Sequence, residues 1–394
     1  MAELNETPRG NRVHIAFFGL RNAGKSTLVN AFTGQNIAIV SDVPGTTTDP
    51  VSKAMEILPL GPCLITDTAG LDDVGELGEQ RVVKTLKVLD ATDIAVWVWG
   101  SVVSPLQEEG ACPNEEARRR FSEFFEVCRK RKVTVIEYRR GDSVEELKSK
   151  IAAVRLEEKM PGLLDGLVKD GDRVLCVVPI DESAPKGRLI LPQQQVIREC
   201  LERHVAATVC QPDELFDCLN FGLLDLKGRL LVITDSQAFG SVSQAIKQSN
   251  NRTVALTSFS ILFARQKGDL EEYARGLAAI RTLKDGDTVL VAEGCTHHRQ
   301  CNDIGTVKIP KALEKLSGRK LKFEFASGGA FEIKQSNNQT IRQYSLVVHC
   351  GGCMLTRREM LRRIGLAKDA GVPIVNYGLV LAMANGIDVN CLIV

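Results

Sequence analysis

Two short stretches, Cys295-Thr296-His297 and His349-Cys350-Gly351-Gly352-Cys353, gather three thiols and, with His298, three histidines in a chain of 394 residues that has only five histidines. Thiolate sulfur is soft and suits zinc or an iron–sulfur centre, and a Cys-x-x-Cys turn lets two thiolates converge on one ion or cluster. A second kind of chemistry lies near the other end. Gly19-Leu20-Arg21-Asn22-Ala23-Gly24-Lys25-Ser26 fits the pattern Gly-x-x-x-x-Gly-Lys-Ser. In such a loop the backbone N–H groups and the following helix N-terminus hold phosphate, the lysine (Lys25) reaches the β- and γ-phosphates, and the hydroxyl (Ser26) meets Mg²⁺. A soft-metal centre is thus paired with a nucleotide switch.

Two further stretches complete the phosphate machinery. Pro44-Gly45-Thr46-Thr47-Thr48-Asp49 is a threonine-rich loop, and Asp67-Thr68-Ala69-Gly70 directly follows an apolar strand, Cys63 to Thr66. Asp67 is placed to hold Mg²⁺ through water, Gly70 to report the γ-phosphate through its backbone, and Thr47 to close onto the metal. The expected nucleotide-binding set is Gly19, Asn22, Ala23, Gly24, Lys25, Ser26, Thr27, Thr46, Thr47 and Asp67, with Lys25, Thr47, Asp67 and Gly70 as catalytic residues.

The elements that position these residues read as α/β. Val13 to Phe18 is an apolar, β-rich run before the loop, and Leu28, Val29, Ala31 and Phe32 continue as a helix after it. Met160-Pro161-Gly162 marks a break, after which strands and helices alternate, from Val174 to Ile180 through Thr253 to Leu256, as in a parallel sheet. Lys169-Asp170-Gly171-Asp172 and Lys284-Asp285-Gly286-Asp287 echo one another before two buried strands, and a shared glycine turn accounts for that. The expectation is three domains, 1–160, 161–266 and 267–394: a P-loop fold followed by two α/β domains with mainly parallel sheets.

In the last domain the strand Val289 to Ala292 delivers Cys295, and the strand Ser345 to Val348 delivers Cys350 and Cys353. Carboxyl ends of parallel strands share one sheet edge, so both pieces converge there. Along extended backbone side chains alternate, which puts Cys295 and His297 on one face and turns His349 away from Cys350. His297 is therefore favoured over His349 as a possible fourth ligand.

Composition excludes several classes of function. Charged residues are 25% of the chain with a net charge of +1, so neither nucleic acid nor an acidic membrane surface is an expected partner. Apolar stretches such as Ile94 to Trp99 fall far short of the roughly 20 residues that a membrane helix needs. Twelve cysteines in a long chain point to a reducing compartment, the cytoplasm.

The first domain resembles the translation-factor-like small GTPases, in the branch of tRNA-modification and ribosome-assembly GTPases, which share Asn22 within the loop and the Gly-Thr-Thr stretch. That resemblance implies GTP with Mg²⁺ and a K⁺ ion bound with the help of Asn22, because Leu71 stands where Ras-like proteins place the water-orienting glutamine. One departure is plain. After the strand Val133 to Ile136 the residues are Glu137-Tyr138-Arg139-Arg140-Gly141-Asp142, without Asn-Lys-x-Asp, and a helix through Val144, Leu147 and Ile151 takes the place of a later Ser-Ala loop.

Over nearly the whole chain, the order of P-loop domain, Ala184-Pro185-Lys186-Gly187-Arg188-Leu189-Ile190-Leu191-Pro192, Cys-x-His and His-Cys-x-x-Cys resembles the HydF family of [FeFe]-hydrogenase maturation GTPases. The resemblance implies GTPase, dimerisation and cluster-binding domains in a homodimer. It also implies a [4Fe–4S] cluster on Cys295, Cys350 and Cys353 with an exchangeable fourth position. The cargo would be a di-iron precursor, made with two radical-SAM maturases and carried to apo-[FeFe]-hydrogenase. Two other readings stand beside it: an RNA-modification or ribosome-assembly GTPase, and a zinc-stabilised protein with a decayed G domain.

Overall fold

A computed structural model describes residues 7–35, 50–71, 84–100, 115–156, 160–180, 189–220, 228–249, 254–294, 303–328 and 341–387. The chain forms two compact units, Met1–Lys159 and Met160–Val394. Among the described residues no helix is long and apolar enough to cross a membrane.

In the first unit the elements run β1 (Val13–Phe18), α1 (Lys25–Thr33), β2 (Val51–Ile57), β3 (Gly61–Asp67), β4 (Ile94–Trp99), α2 (Glu115–Lys130), β5 (Thr134–Arg139) and α3 (Val144–Ala152). They build a five-stranded sheet ordered β2-β3-β1-β4-β5, parallel except for the antiparallel edge pair β2–β3. A parallel sheet is covered on both faces, so its central strands read as continuous apolar runs. β1 shows this directly. Ile15 and Phe17 face a core with Leu28 and Phe32 of α1 and Ile151 of α3, while Ala16 and Phe18 face one with Trp97, Phe124 and Cys128.

The second unit contains two sheets. The first is built from β6 (Arg173–Val177), α4 (Leu191–Glu202), β7 (Ala206–Cys210), α5 (Leu215–Asn220), β8 (Leu230–Thr234), α6 (Phe239–Gln248) and β9 (Val254–Ser258), which leads directly into α7 (Phe259–Lys267). The second is built from α8 (Leu270–Ile280), β10 (Thr288–Glu293), α9 (Ile309–Ser317), β11 (Lys322–Ser327), β12 (Leu346–His349), α10 (Arg357–Asp369), β13 (Ile374–Asn376) and α11 (Tyr377–Ala384). All strand pairs in both sheets are parallel, in the orders β7-β6-β8-β9 and β11-β10-β12-β13.

The echo in sequence extends to topology, since both orders place the second strand outside the first and then the third and fourth. Before each first strand the same turn forms: Asp172 accepts the Lys169 N–H at 2.8 Å and Asp287 the Lys284 N–H at 2.8 Å, around left-handed Gly171 and Gly286. After each fourth strand its last residue caps the next helix. Ser258 Oγ accepts from the Ile261 N–H of α7, and Asn376 Oδ1 from the Gly378 N–H of α11. A polar residue at that position satisfies a backbone donor that the helix itself leaves unpaired.

Helix α7 joins the two sheets. Its Phe259, Leu262 and Phe263 lie in the core of the first, whereas Ile261 and Ala264 lie in the core of the second. A helix that buries apolar residues on two faces lacks a single amphipathic stripe. In the second sheet, α8 approaches β13 so closely that a Cβ at Gly276 would collide with the Ile374 carbonyl.

Candidate functional site

At the end of β1 the chain turns sharply beneath β4. Gly19 has φ +152°, and a Cβ there would lie 2.5 Å from the Val98 carbonyl oxygen. Asn22 (φ 59°) and Gly24 (φ 91°) also take the left-handed conformation, and Gly24 is the N-cap of α1. Such a loop turns successive N–H groups inward toward one anion. Ala23 is buried beneath it, Asn22 and Thr27 are exposed, and the Leu71 N–H donates to the Gly19 carbonyl at 3.2 Å, tying the segment after Gly70 to the loop.

The buried Lys25 ammonium donates to the carbonyls of Leu20 (2.8 Å) and Gly19 (3.3 Å), directly over the loop. Ser26 Oγ donates to Asp67 Oδ2 at 2.6 Å. Asp67 is fully buried; burial raises its pKa, against the lowering effects of Ser26 and Lys25. Its second oxygen, Oδ1, has no hydrogen-bond partner among the described residues. A buried carboxylate oxygen of this kind fits a divalent cation or one of its waters. Hence Lys25, Ser26 and Asp67 come together as the motifs require, while Thr46 and Thr47 lie outside the described residues.

Where a base reader is expected, the side chains turn back on the protein. Asp142 Oδ2 accepts the Arg139 N–H at 2.8 Å, the Tyr138 hydroxyl donates to the Asp142 carbonyl at 2.9 Å, and Glu137 accepts the Trp99 indole N–H at 2.9 Å. The two bonds to Asp142 close the turn between β5 and α3, and the third joins β5 to β4.

The thiol site sits at the carboxyl ends of β10 and β12, which pair with Ala292 opposite His349. The Cys350 N–H donates to the Ala292 carbonyl at 2.9 Å, and the Gly294 N–H donates to Cys350 Sγ at 3.1 Å. Cys295 follows Gly294 in the chain and, with His297 and His298, lies outside the described residues. Burial raises the Cys353 thiol, opposed by the positive charge of Lys267.

The side chain of His349 is held by Arg363 of α10. It is fully buried, and burial with the Arg363 charge pushes its pKa down to about 3, so it is neutral. Arg363 only donates, so His349 Nε2, 3.1 Å from Nη1, is the acceptor and Nδ1–H donates to the Cys350 carbonyl at 2.8 Å. Arg363 also donates to the Gly328 carbonyl (2.9 Å) and to Glu359 (3.0 Å).

Beneath the loop lies Lys267, the last residue of α7. It is fully buried and donates to the carbonyls of Leu355 (2.8 Å), Cys353 (3.1 Å) and Gly352 (3.3 Å); burial pushes its pKa down to about 8. Neither Lys267 nor Arg363 belongs to a motif. The only trace in the sequence is a lysine three residues after Ala264 and an arginine in the charged stretch Arg357 to Lys368.

Fold and site together define a P-loop nucleotide-binding protein whose second unit carries a thiol site at a parallel sheet edge. Family models agree over three consecutive segments: the 50S ribosome-binding GTPase over residues 14–137, the hydrogen maturase F dimerization domain over 163–268, and the hydrogen maturase F tetramerization domain over 271–392. The chain belongs to the HydF family.

Curated relatives match about a quarter of the chain. The tRNA modification GTPase MnmE of Endomicrobium trichonymphae is 39% identical over 98 residues, 24% of this chain and 21% of that protein. GTPase Der of Campylobacter hominis is 37% identical over 95 residues, 24% of this chain and 20% of that protein. The chain thus spans about a fifth of the length of the curated relatives it matches. Among solved structures, Aquifex aeolicus Era bound to GDP and aluminium fluoride covers 84% of this chain and 98% of its own, at 14% identity and a TM-score of 0.26, which carries no further argument.

Proposed function

We propose that the chain is a nucleotide-responsive scaffold and carrier in [FeFe]-hydrogenase maturation. It binds a [4Fe–4S] cluster through Cys295, Cys350 and Cys353, hydrolyses GTP in its first domain, and delivers a di-iron precursor to apo-[FeFe]-hydrogenase. Two radical-SAM maturases supply that precursor. The family descriptions of dimerization and tetramerization support self-association, and we assign at least a homodimer.

The observation that carries the cluster assignment is the Gly294 N–H to Cys350 Sγ bond. That bond ties Gly294, which precedes Cys295 in the chain, to the Cys-x-x-Cys loop. Three thiolates leave one iron with an exchangeable position, at which a precursor can attach without dismantling the cluster. The engaged lone pair of His349 supports His297 as the occupant of that position in the resting protein. The protein's part is to hold the thiolates on a rigid sheet edge.

In the first domain, N–H groups of the 19–24 loop would bind the phosphates, Lys25 would offset charge on the β- and γ-oxygens, and Ser26 with Asp67 would hold Mg²⁺. Thr47 and the backbone at Gly70 are the candidate sensors of the γ-phosphate. The left-handed Asn22 supports a K⁺ site in place of the glutamine that Leu71 replaces. Since Asp142 caps its own turn, guanine selectivity rests on contacts other than Asn-Lys-x-Asp.

Metal analysis of protein purified without oxygen tests the reading. Iron with labile sulfide in equal amounts supports it; a colourless protein with one zinc per chain refutes it in favour of a zinc-stabilised fold.

A further inference from the structure

Lys267 is a cation in an unusual setting. It is fully buried, its three hydrogen-bond acceptors are neutral carbonyls, and no carboxylate lies within ion-pair distance of it among the described residues. Its other close neighbour is the ring of Phe263, 5.1 Å from Nζ. The second buried cation of this domain differs, since Arg363 is paired with Glu359 at 3.0 Å.

Burying an ammonium without a counter-charge is costly, and carbonyl dipoles offset only part of that cost. All three carbonyls belong to the segment Gly352–Leu355, which carries Cys353 and begins two residues after Cys350. A lysine ammonium is a compact point charge with three donors, suited to this position.

We infer that Lys267 is the built-in counter-ion of the cluster site: it positions the Cys350–Cys353 loop through its carbonyls and offsets the negative charge that the thiolates bring when the cluster is bound. The inference rests on the cluster reading above and adds a residue outside the cysteine motifs. Because Lys267 ends α7, whose Phe259, Leu262 and Phe263 are packed in the neighbouring sheet, the charge beneath the cluster is supplied by an element anchored in the other domain.

Fixed positive charge near an iron–sulfur cluster favours its reduced, more negative form. The test compares wild type, K267M and K267Q after anaerobic reconstitution with iron and sulfide, by redox titration followed by electron paramagnetic resonance and by the rate of iron loss to a chelator. K267M removes charge and donors; K267Q removes the charge but keeps an amide N–H donor, on a side chain one atom shorter. Both variants are expected to titrate at a more negative potential than wild type and to lose iron several-fold faster.

An unchanged potential in K267Q overturns the inference, because a purely structural clamp leaves the potential where it was. If neither variant folds while metal-free wild type does, Lys267 is a clamp of the apo fold and the inference is likewise overturned. Wild type that takes up no iron and sulfide overturns the cluster reading itself, and with it this inference. A cluster-bearing wild type with unaltered variants removes the inference alone.

Discussion

Arg363 donates to Nε2 of His349 across 3.1 Å in the buried interior beside β12, and that bond fixes the imidazole as the Nδ1–H tautomer. One face of the strand end therefore serves an arginine that gathers backbone carbonyls, and the other serves the thiols. The bond separates two histidines that look alike in sequence.

A neutral histidine has one lone pair, and that of His349 is already accepting. His297→Ala is therefore expected to change the electron paramagnetic resonance spectrum of the reduced cluster, whereas His349→Ala leaves its g values in place. Equal spectral changes in both variants count against His297.

Arg363 bridges the Glu359 carboxylate, His349 and the carbonyl of Gly328. Removing one side of a buried ion pair costs about 3–5 kcal/mol. Since the Glu359 side chain keeps 24% exposure, Arg363→Met belongs at the lower end of that range, with Glu359→Gln costing about 1 kcal/mol because its amide still accepts. Denaturant unfolding of metal-free protein checks both values, and a neutral Arg363→Met would show that the bridge is dispensable.

Lys25 and Ser26 meet the nucleotide site from one helix turn. Loss of one preorganised electrostatic donor costs about 10²–10³-fold in rate. Lys25→Ala is expected to lower GTP turnover by at least that factor, and Ser26→Ala to remove the Mg²⁺ dependence of nucleotide binding; calorimetric titration with and without Mg²⁺ reads the second effect. Wild-type turnover in Lys25→Ala would place hydrolysis elsewhere.

Several thiols are packing groups rather than ligands. Burial pushes Cys176 up to about 12 and Cys63 and Cys200 up to about 11, from an ordinary 9.0. Below pH 9 these thiols are protonated whether the chain is folded or not, and their contribution is fully present. Above it the unfolded chain ionises first, so stability falls by about 1.4 kcal/mol per pH unit per thiol until the folded thiols ionise as well. Unfolding midpoints measured from pH 8 to 10.5 under reductant should fall, with a shallower decline in Cys176→Ala. Native alkylation at pH 8 should leave Cys63, Cys176 and Cys200 unlabelled, and rapid labelling of any of the three would contradict their burial.

The sequence made the phosphate loop legible because glycine spacing and Gly-Lys-Ser encode backbone geometry locally. The strand ends that carry Cys350 and precede Cys295 were equally readable, since buried parallel strands are short apolar runs. Helix α7 was not. It is buried from two sheets at once, so Phe259 to Lys267 shows no 3.6-residue stripe to distinguish helix from strand. Lys267 shared its obscurity: charge beneath a site depends on which distant carbonyls fold over it, and no local spacing records that. The paired topology of the two sheets was visible only as Lys-Asp-Gly-Asp, since the remaining correspondences lie in strand order and in two capping residues of different type, Ser258 and Asn376.

The account centres on three thiols at one sheet edge, and anaerobic reconstitution of wild type beside a Cys295→Ala, Cys350→Ala, Cys353→Ala triple variant tests it most directly. Iron and labile sulfide are assayed, followed by activation of apo-[FeFe]-hydrogenase in the presence of the two radical-SAM maturases. Wild type is expected to hold about four irons and four sulfides per chain and to activate the hydrogenase, with the variant doing neither. A triple variant that retains its iron and sulfide, or that still activates, would contradict the account.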